Sequence, residues 1–374
     1  MSERTEITIL GDVCPAWAWR ERFIESDIQG LLGDVLPALQ ESDLVLCNLE
    51  CPVTEYIKPA VKTGPNLSCK RSDLELLMKA GVNAVSLANN HIRDFGDEGC
   101  LDTITLCDEL KLPHFGAGAN EHDAARPFFF EKNGVRIGFL SFAEKEFNCV
   151  GESCAGARLF SPYDSFDAIR NAKENCRFLV VLYHGGIENY EYPSEELRRR
   201  CRKMAESGAD LVLCQHSHCV GSMERCKNGK ILYGQGNFLF GHSDTSTMWN
   251  YGLMVKLLIG KDVELKLIGV EAKKEGLQLS NEDVVRGLEQ RSERLEDEAF
   301  LKSEWLKFCR HKRDEYLPSI YGMGRVLNKL NRMTHGAVVK LLIGRRQEML
   351  AMNLVRCDAH REVLTTIFED SQER

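Results

Sequence analysis

Five short segments hold the residues best suited to chemistry: Gly11-Asp12, Asn48-Leu49-Glu50, Asn89-Asn90-His91, His184-Gly185-Gly186 and His216-Ser217-His218. Carboxylate, amide oxygen and imidazole are donors for hard and borderline cations. Each segment closes a strand-like apolar run. Open α/β sheets gather their sites at the C-terminal ends of strands, so these donors are expected to converge at one sheet edge. A polar residue after a strand often does no more than cap a turn, and Asn tolerates positive φ. Five donor-bearing ends in one chain favour metal ligation over turn capping.

The donor mix suits a pair of divalent ions. Two cations held roughly 3.5–4 Å apart acidify a water between them and neutralise charge on an attacked phosphoryl or carbonyl oxygen. Asp12 and Glu50 supply negative charge, and Asn90, His184, His216 and His218 supply neutral donors. His91 directly follows Asn90 and is placed to protonate a leaving group as a general acid. Asp94, three residues on, reads as an acceptor that orients His91.

These residues, in this order, resemble the CapA proteins, the poly-gamma-glutamate or capsule synthesis family. The matching stretches are Gly11-Asp12, Asp43 to Glu50, Ser86 to His91 with Asp94 and Gly96, Gly208 to Asp210, His216-Ser217-His218 and Gly236-Asn237-Phe238. CapA proteins are similar to the calcineurin-like metallophosphoesterases. The resemblance implies an α/β fold of four layers, a metallophosphoesterase-like αββα sandwich with two facing sheets flanked by helices. It implies that Asp12 and His218 hold one metal, that Asn90, His184 and His216 hold the other, and that Glu50 bridges them. Asn48, Glu188 and Asn237 become candidates for contacts behind the ligands or with substrate. The implied cofactor is one or two divalent ions, Mn, Fe or Zn. The implied activity is hydrolysis or transfer at a phosphoester or amide bond, with an anionic polymer or its precursor as partner. The alternative is a non-catalytic accessory protein that binds such a polymer or a polymer synthase.

Three features depart from these patterns. The first departs from the phosphoesterases, since CapA proteins also usually lack a His there and often have Met, and the other two depart from the family itself. Cys14 stands where phosphoesterases carry a His, which leaves the Asp12 half of the site one donor short; Cys14 itself reads as buried packing. Gly185 stands where the family usually has Trp, and is expected to open the pocket. Cys214-Gln215 replaces Gly-His or Gly-Ser before the histidine pair.

The elements that must position these residues are visible as periodicity. Strand-like runs cover Ile7–Leu10, Asp43–Cys47, Asn83–Leu87, Val135–Phe142, Phe178–Tyr183, Ala209–Cys214 and Ile231–Tyr233. Leu253–Ile259 and Val263–Val270, split by Gly260-Lys261-Asp262, read as a β-hairpin. Helical spacing covers Ile28–Leu39 with Asp27 as a cap, Ser72–Ala80 capped by Ser72, Gly99–Leu110 and Ser194–Glu206. Past about residue 275 strand signals stop. Asn281–Phe308, Gly324–Leu342 and Arg345–Phe368 read as helices, so a domain of residues 1–275 and a helical extension of 276–374 are expected. A basic tract in that extension runs through Arg310, Lys312, Arg313, Arg325, Lys329, Arg332, Lys340, Arg345 and Arg346, interrupted by Asp314 and Glu315. It reads either as a dock for an anionic polymer or membrane surface, or as a solvated face whose apolar side packs on the first domain. Charged helix faces are normally just solvated, which favours the second reading.

Composition sets the remaining bounds. The chain has 374 residues, 43% hydrophobic and 28% charged, with a net charge of −8. That charge argues against a nucleic-acid binder. No stretch reaches the length of a membrane span. The start, Met1 to Glu6, lacks the basic then apolar pattern of a secretory signal, so a cytoplasmic location is expected. The 15 cysteines are then read as reduced, buried thiols, and no Cys-x-x-Cys pair suggests a zinc knuckle.

Overall fold

The computed structural model describes residues 4–15, 19–25, 27–227 and 229–356, with 360, 361, 363, 364 and 368 beyond them. Contacts divide the chain into two units, Met1–Glu296 and Asp297–Arg374. The division falls later than the expected 275 because the helix Asn281–Glu293 packs on the strands Val263–Lys273 and Met223–Cys226 of the first unit.

Two large sheets form the first unit. One runs in the order Gly276–Leu279, Val263–Lys273, Tyr251–Ile259, Thr5–Val13, Leu44–Leu49, Ala84–Ser86, His114–Phe115, with Asn237–Leu239 also paired to Thr5–Val13. The other runs Met223–Cys226, Gly229–Leu232, Leu211–Gln215, Phe178–His184, Val135–Ala143, Phe128–Lys132. Their inner faces share one apolar cluster, in which Ile7, Ile9, Leu44 and Leu46 meet Phe139, Val180, Leu182 and Leu213. Alternate residues of a strand point to opposite faces. Leu10, Val45, Cys47 and Val85 accordingly enter a second cluster, with Leu31, Leu39, Leu74 and Leu77 from the helices outside the first sheet. The helices Ser165–Glu174 and Glu195–Glu206 cover the second sheet. The expected four layers are therefore present.

The strand-like runs occupy strands, and the hairpin pairs antiparallel from Ile259↔Val263 to Tyr251↔Glu271. Helix details differ at four places. Two are late in the chain: Asn281–Phe308 breaks at the 3-10 turn Arg294–Glu296, with the next helix running on to Ile320, and Gly324–Leu342 breaks between Met333 and Ala337. Ile28–Leu39 is not one helix. Asp27 does cap it, accepting from the Gly30 N–H at 2.8 Å, but the α-helix stops at Leu32. Gly33 has φ +48°, and a short 3-10 turn leads into Leu36–Gln40. The next helix starts at Arg71 with Lys70 as its cap rather than Ser72, because the Asp73 carboxylate accepts from the Lys70 N–H at 2.7 Å.

The second unit is helical: Glu298–Ile320, Arg325–Met333, Ala337–Leu342 and Arg345–Arg356. The expected helix to Phe368 extends partly outside the described residues. Among the described residues, no helix is long and apolar enough to cross a membrane. All described cysteines are free thiols, most of them buried.

Candidate metal centre

Parallel register sets the first row of the site. Asp12 pairs with Asn48 on one side and Asn237 on the other, so three polar side chains stand side by side where Thr5–Val13 and Leu44–Leu49 end and Asn237–Leu239 begins. Asp12 reaches this place because Gly11 lets two backbones touch: a Cβ there would lie 2.0 Å from the Gly236 carbonyl oxygen. The second sheet supplies the opposing row, where His184 pairs with Gln215 at the strand ends. His216 and His218 then turn back over the site with φ of 84° and 51°. Non-glycine residues are uncommon in that left-handed region, and such strain clusters at functional sites.

The side chains converge in two groups that share one member. Asp12, Glu50 and His218 can offer ligand atoms within 4.8 Å of one another, and so can Glu50, His184 and His216. Glu50 Oε1 lies 3.6 Å from His184 Nε2 and 3.7 Å from His218 Nε2. Asn90 Oδ1 is 3.0 Å from His184 Nε2, which adds an oxygen donor to the second group. Asp12 is held by the Asn48 amide at 2.8 Å and by the His216 backbone N–H at 3.0 Å. The same Asn48 Nδ2 lies 3.2 Å from His184 Nδ1. Asn237 Oδ1 stands 2.9 Å from His218 Nδ1, which leaves Nε2 to face Glu50.

Burial makes this cluster electrostatically expensive. Asp12 and Glu50 are fully buried. Burial raises the Asp12 carboxyl above its usual range, partly offset by His218 and the Asn48 bond. Glu50 is pushed well above that range, first by burial and then by the neighbouring Asp12. Burial drives His184 well below the usual imidazole value, helped by His216 and His218, and lowers His218 despite Asp12. His184 and His218 are thus held as neutral donors, and a cation beside the two carboxyls would favour their ionised form. Neither Glu50 oxygen has a hydrogen-bond partner, and His216 Nδ1 is likewise buried and unpaired. Buried polar atoms are almost always satisfied. An unpaired carboxylate beside three imidazoles, one of them with an unpaired nitrogen, fits a divalent ion, and the N and O donor set suits Mn, Fe or Zn.

His91 sits on the rim, 7% exposed. Its Nδ1 is 2.7 Å from Asp94 Oδ2, and its backbone N–H donates to Asn89 Oδ1 at 3.0 Å. Glu188 is exposed, yet its charge acts on both Glu50 and His218. Cys14 lies outside both donor groups and packs in the core beside Cys51 and Cys69.

One expectation is corrected. Gly185 does not open the pocket, because Glu144 fills the space: a Cβ on Gly185 would lie 2.5 Å from Glu144 Cγ. Glu144 is fixed there by the Tyr183 hydroxyl at 2.6 Å, the Gly186 N–H at 3.2 Å and Arg200 at 2.8 Å. Three contributors escaped the sequence reading. Lys62 pairs with Asp94 and lies 3.3 Å from His91 Nδ1, with its side chain only 5% exposed. Glu146 Oε1 is 3.8 Å from His216 Nε2. Trp249 packs on the His218 ring at 4.6 Å between centroids. None follows a strand-like run, so the strand-end rule passes over them.

Residues 6–242 match the family described as bacterial capsule synthesis protein PGA_cap. The chain belongs to that capsule synthesis family. It is 31% identical over 258 residues to the capsule biosynthesis protein CapA of Bacillus anthracis, covering 66% of this chain and 62% of that one. It is also 31% identical over 223 residues to the PGA biosynthesis protein CapA of Bacillus subtilis (strain 168), covering 57% of each. The match thus spans about three-fifths of these CapA relatives. Among solved structures, a 5'-nucleotidase precursor from Thermus thermophilus aligns at 12% identity and a TM-score of 0.42, over 82% of this chain and 59% of its own.

Proposed function

We propose that this capsule synthesis family member is a metal-dependent hydrolase or transferase. It would act on a phosphoester or amide bond in a capsule or poly-gamma-glutamate-type polymer or its precursor. One observation carries the reading: two buried donor groups share Glu50, whose oxygens make no hydrogen bond although Oε1 lies 3.6 Å and 3.7 Å from the imidazoles of His184 and His218. Asp12 and His218 would hold one ion, Asn90, His184 and His216 the other, and Glu50 both. A divalent ion bound there supplies Lewis acidity toward an attacked phosphoryl or acyl oxygen. The protein's own groups do the rest. Asn48 and Asn237 fix the orientation of Asp12, His184 and His218. Asp94 holds His91 by Nδ1, leaving Nε2 to exchange a proton with the leaving group. Near-complete burial of Asp12, Glu50 and His184 keeps bulk water off one side, while the slightly exposed Asn90, His91 and His216 give a substrate access from the other.

A second reading is favoured by Cys14. The Asp12 group lacks a donor there, as an accessory protein that binds anionic polymer or a synthase partner without turnover would permit. Purified protein loaded with Mn, Fe or Zn and offered model phosphodiesters and γ-glutamyl peptides separates the two. Metal-dependent turnover lost in an Asn90→Ala, His216→Ala variant supports catalysis. Turnover that survives the double substitution sinks the mechanism. Polymer binding by metal-free protein, with no turnover under any divalent ion, supports the accessory role.

A further inference from the structure

The second unit carries a surface that the metal centre does not use. Its helices Arg325–Met333 and Ala337–Leu342 are built against each other: Asn331 is fully buried and its Oδ1 accepts from the Val339 N–H at 3.0 Å, with Val339 buried too. The apolar side of this segment nevertheless faces solvent. Val326 is 81% exposed, Met333 70% and Leu341 86%, and Leu342, Leu350 and Val355 are exposed as well. Scattered exposed apolar residues are normal, but a run of them marks an interaction surface. Among these side chains stand Arg325, Lys329, Arg332, Lys340, Arg345 and Arg346, all exposed. Between residues 324 and 355 they face a single acidic residue, Glu348, which lies 3.7 Å from Arg313. In the preceding helix Lys307 and Lys312, by contrast, are each paired with a nearby acid, Glu304 and Glu315. This segment stays strongly cationic in a chain of net charge −8.

We propose that residues 324–355 dock on an anionic lipid surface and lie in its interface. Both features are needed for that partner. Basic side chains with long stems meet acidic headgroups while neighbouring Val, Leu and Met enter the acyl boundary. A hydrophilic polyanion would satisfy the charges and leave the apolar side chains in water. A second copy of the chain would cover the apolar side chains but bring six like charges per copy together. No described helix is long and apolar enough to cross the bilayer, so the segment lies on it.

Flotation of the full-length protein tests the assignment, with vesicles of phosphatidylglycerol and phosphatidylcholine in equal parts and with phosphatidylcholine alone. Binding is expected on the anionic vesicles only. A Lys329→Gln, Arg332→Gln variant is expected to bind at least about tenfold more weakly, from roughly fivefold per basic residue at such a surface. A Val326→Ser, Leu341→Ser variant is expected to lose the binding that persists at high salt, with helix content unchanged by circular dichroism. Absence of binding to anionic vesicles overturns the proposal. So does binding indifferent to the serine substitutions and matched by soluble polyglutamate, which identifies a polymer dock. A lipid-free dimer abolished by the serine substitutions also overturns it and identifies a second copy as the occupant.

Discussion

Asn237 holds His218 from behind: its Oδ1 lies 2.9 Å from Nδ1, on the side of the ring away from Glu50. This bond selects the imidazole tautomer with a free Nε2. Asn237→Ala removes it without touching a ligand. Such changes typically cost ten- to a hundredfold in metal affinity. Calorimetric titration with Mn or Zn is expected to show that loss in the tighter or the weaker binding event, but not in both. An unchanged isotherm would contradict the role given to Asn237.

The Glu50 carboxyl makes the metal-free protein sensitive to pH in a definite direction. Its folded pKa is raised well above the usual 4.5 by burial. The folded state therefore retains a proton that the unfolded chain releases, and stability falls as pH rises from 4.5 through the folded value. His184 and His218 act with the opposite sign: their folded values lie below 6.5, so their contribution is lost as pH falls below 6.5. Above 6.5 the histidines no longer change stability with pH and the carboxyl effect remains, joined by the buried thiols as pH approaches 9. Metal-free wild type should then lose stability with rising pH more steeply than Glu50→Gln, in which Asp12 is the raised carboxyl that remains, with a gap of roughly 1–3 kcal/mol at about pH 8. Excess divalent ion should reverse the wild-type trend, because ligands must be deprotonated to bind. Denaturant midpoints across the pH series check both.

His91 and Asp94 are expected to matter for turnover and not for metal content. With a substrate identified, His91→Ala should lower kcat by roughly 10²–10⁴-fold, the usual contribution of a positioned acid. Asp94→Asn should lower it less. Elemental analysis should find the wild-type metal content in both, and a parallel loss of metal would reassign His91 from proton donor to structural support.

Lys62 closes the back of that dyad. Asp94 is fully buried and Lys62 nearly so. Breaking a buried ion pair by removing one partner typically costs about 3–5 kcal/mol, because the other charge is left uncompensated. Lys62→Met should therefore lower the urea midpoint sharply, and Lys62→Met with Asp94→Asn should recover much of the loss. Lack of recovery would mean that Lys62 acts through packing and not through charge.

Much of this site was legible because its donors end apolar strands. Runs such as Phe178–His184 cannot be solvent-exposed, and a polar group where such a run stops must sit at a sheet edge. Asp12, Glu50, His184 and His216 came from that reasoning, and the shared position of Glu50 came from family resemblance. The broken helix after Asp27 had visible punctuation in Gly33 and Pro37, but apolar spacing across them outweighed it. Lys62 carried no signal. It lies in an irregular stretch between strand and helix, and only the packing of residues 60–67 on Asp94 brings it inward: the Ala60 N–H donates to the Asp94 carbonyl at 2.8 Å and the Leu67 N–H to its carboxylate at 2.6 Å. Contacts of that kind join residues remote in the chain, and no local period records them.

The contact between Glu144 and Gly185 fixes one wall beside His184. A side chain at the position of Gly185 and a long one at that of Glu144 cannot occupy the same space. A side chain at position 185 would push Glu144 off its bonds to the Tyr183 hydroxyl, the Gly186 N–H and Arg200, so the small residue keeps that carboxylate in place. The wall beside His184 is thereby built by a charged side chain drawn from the neighbouring strand end and not by the residue that follows the histidine.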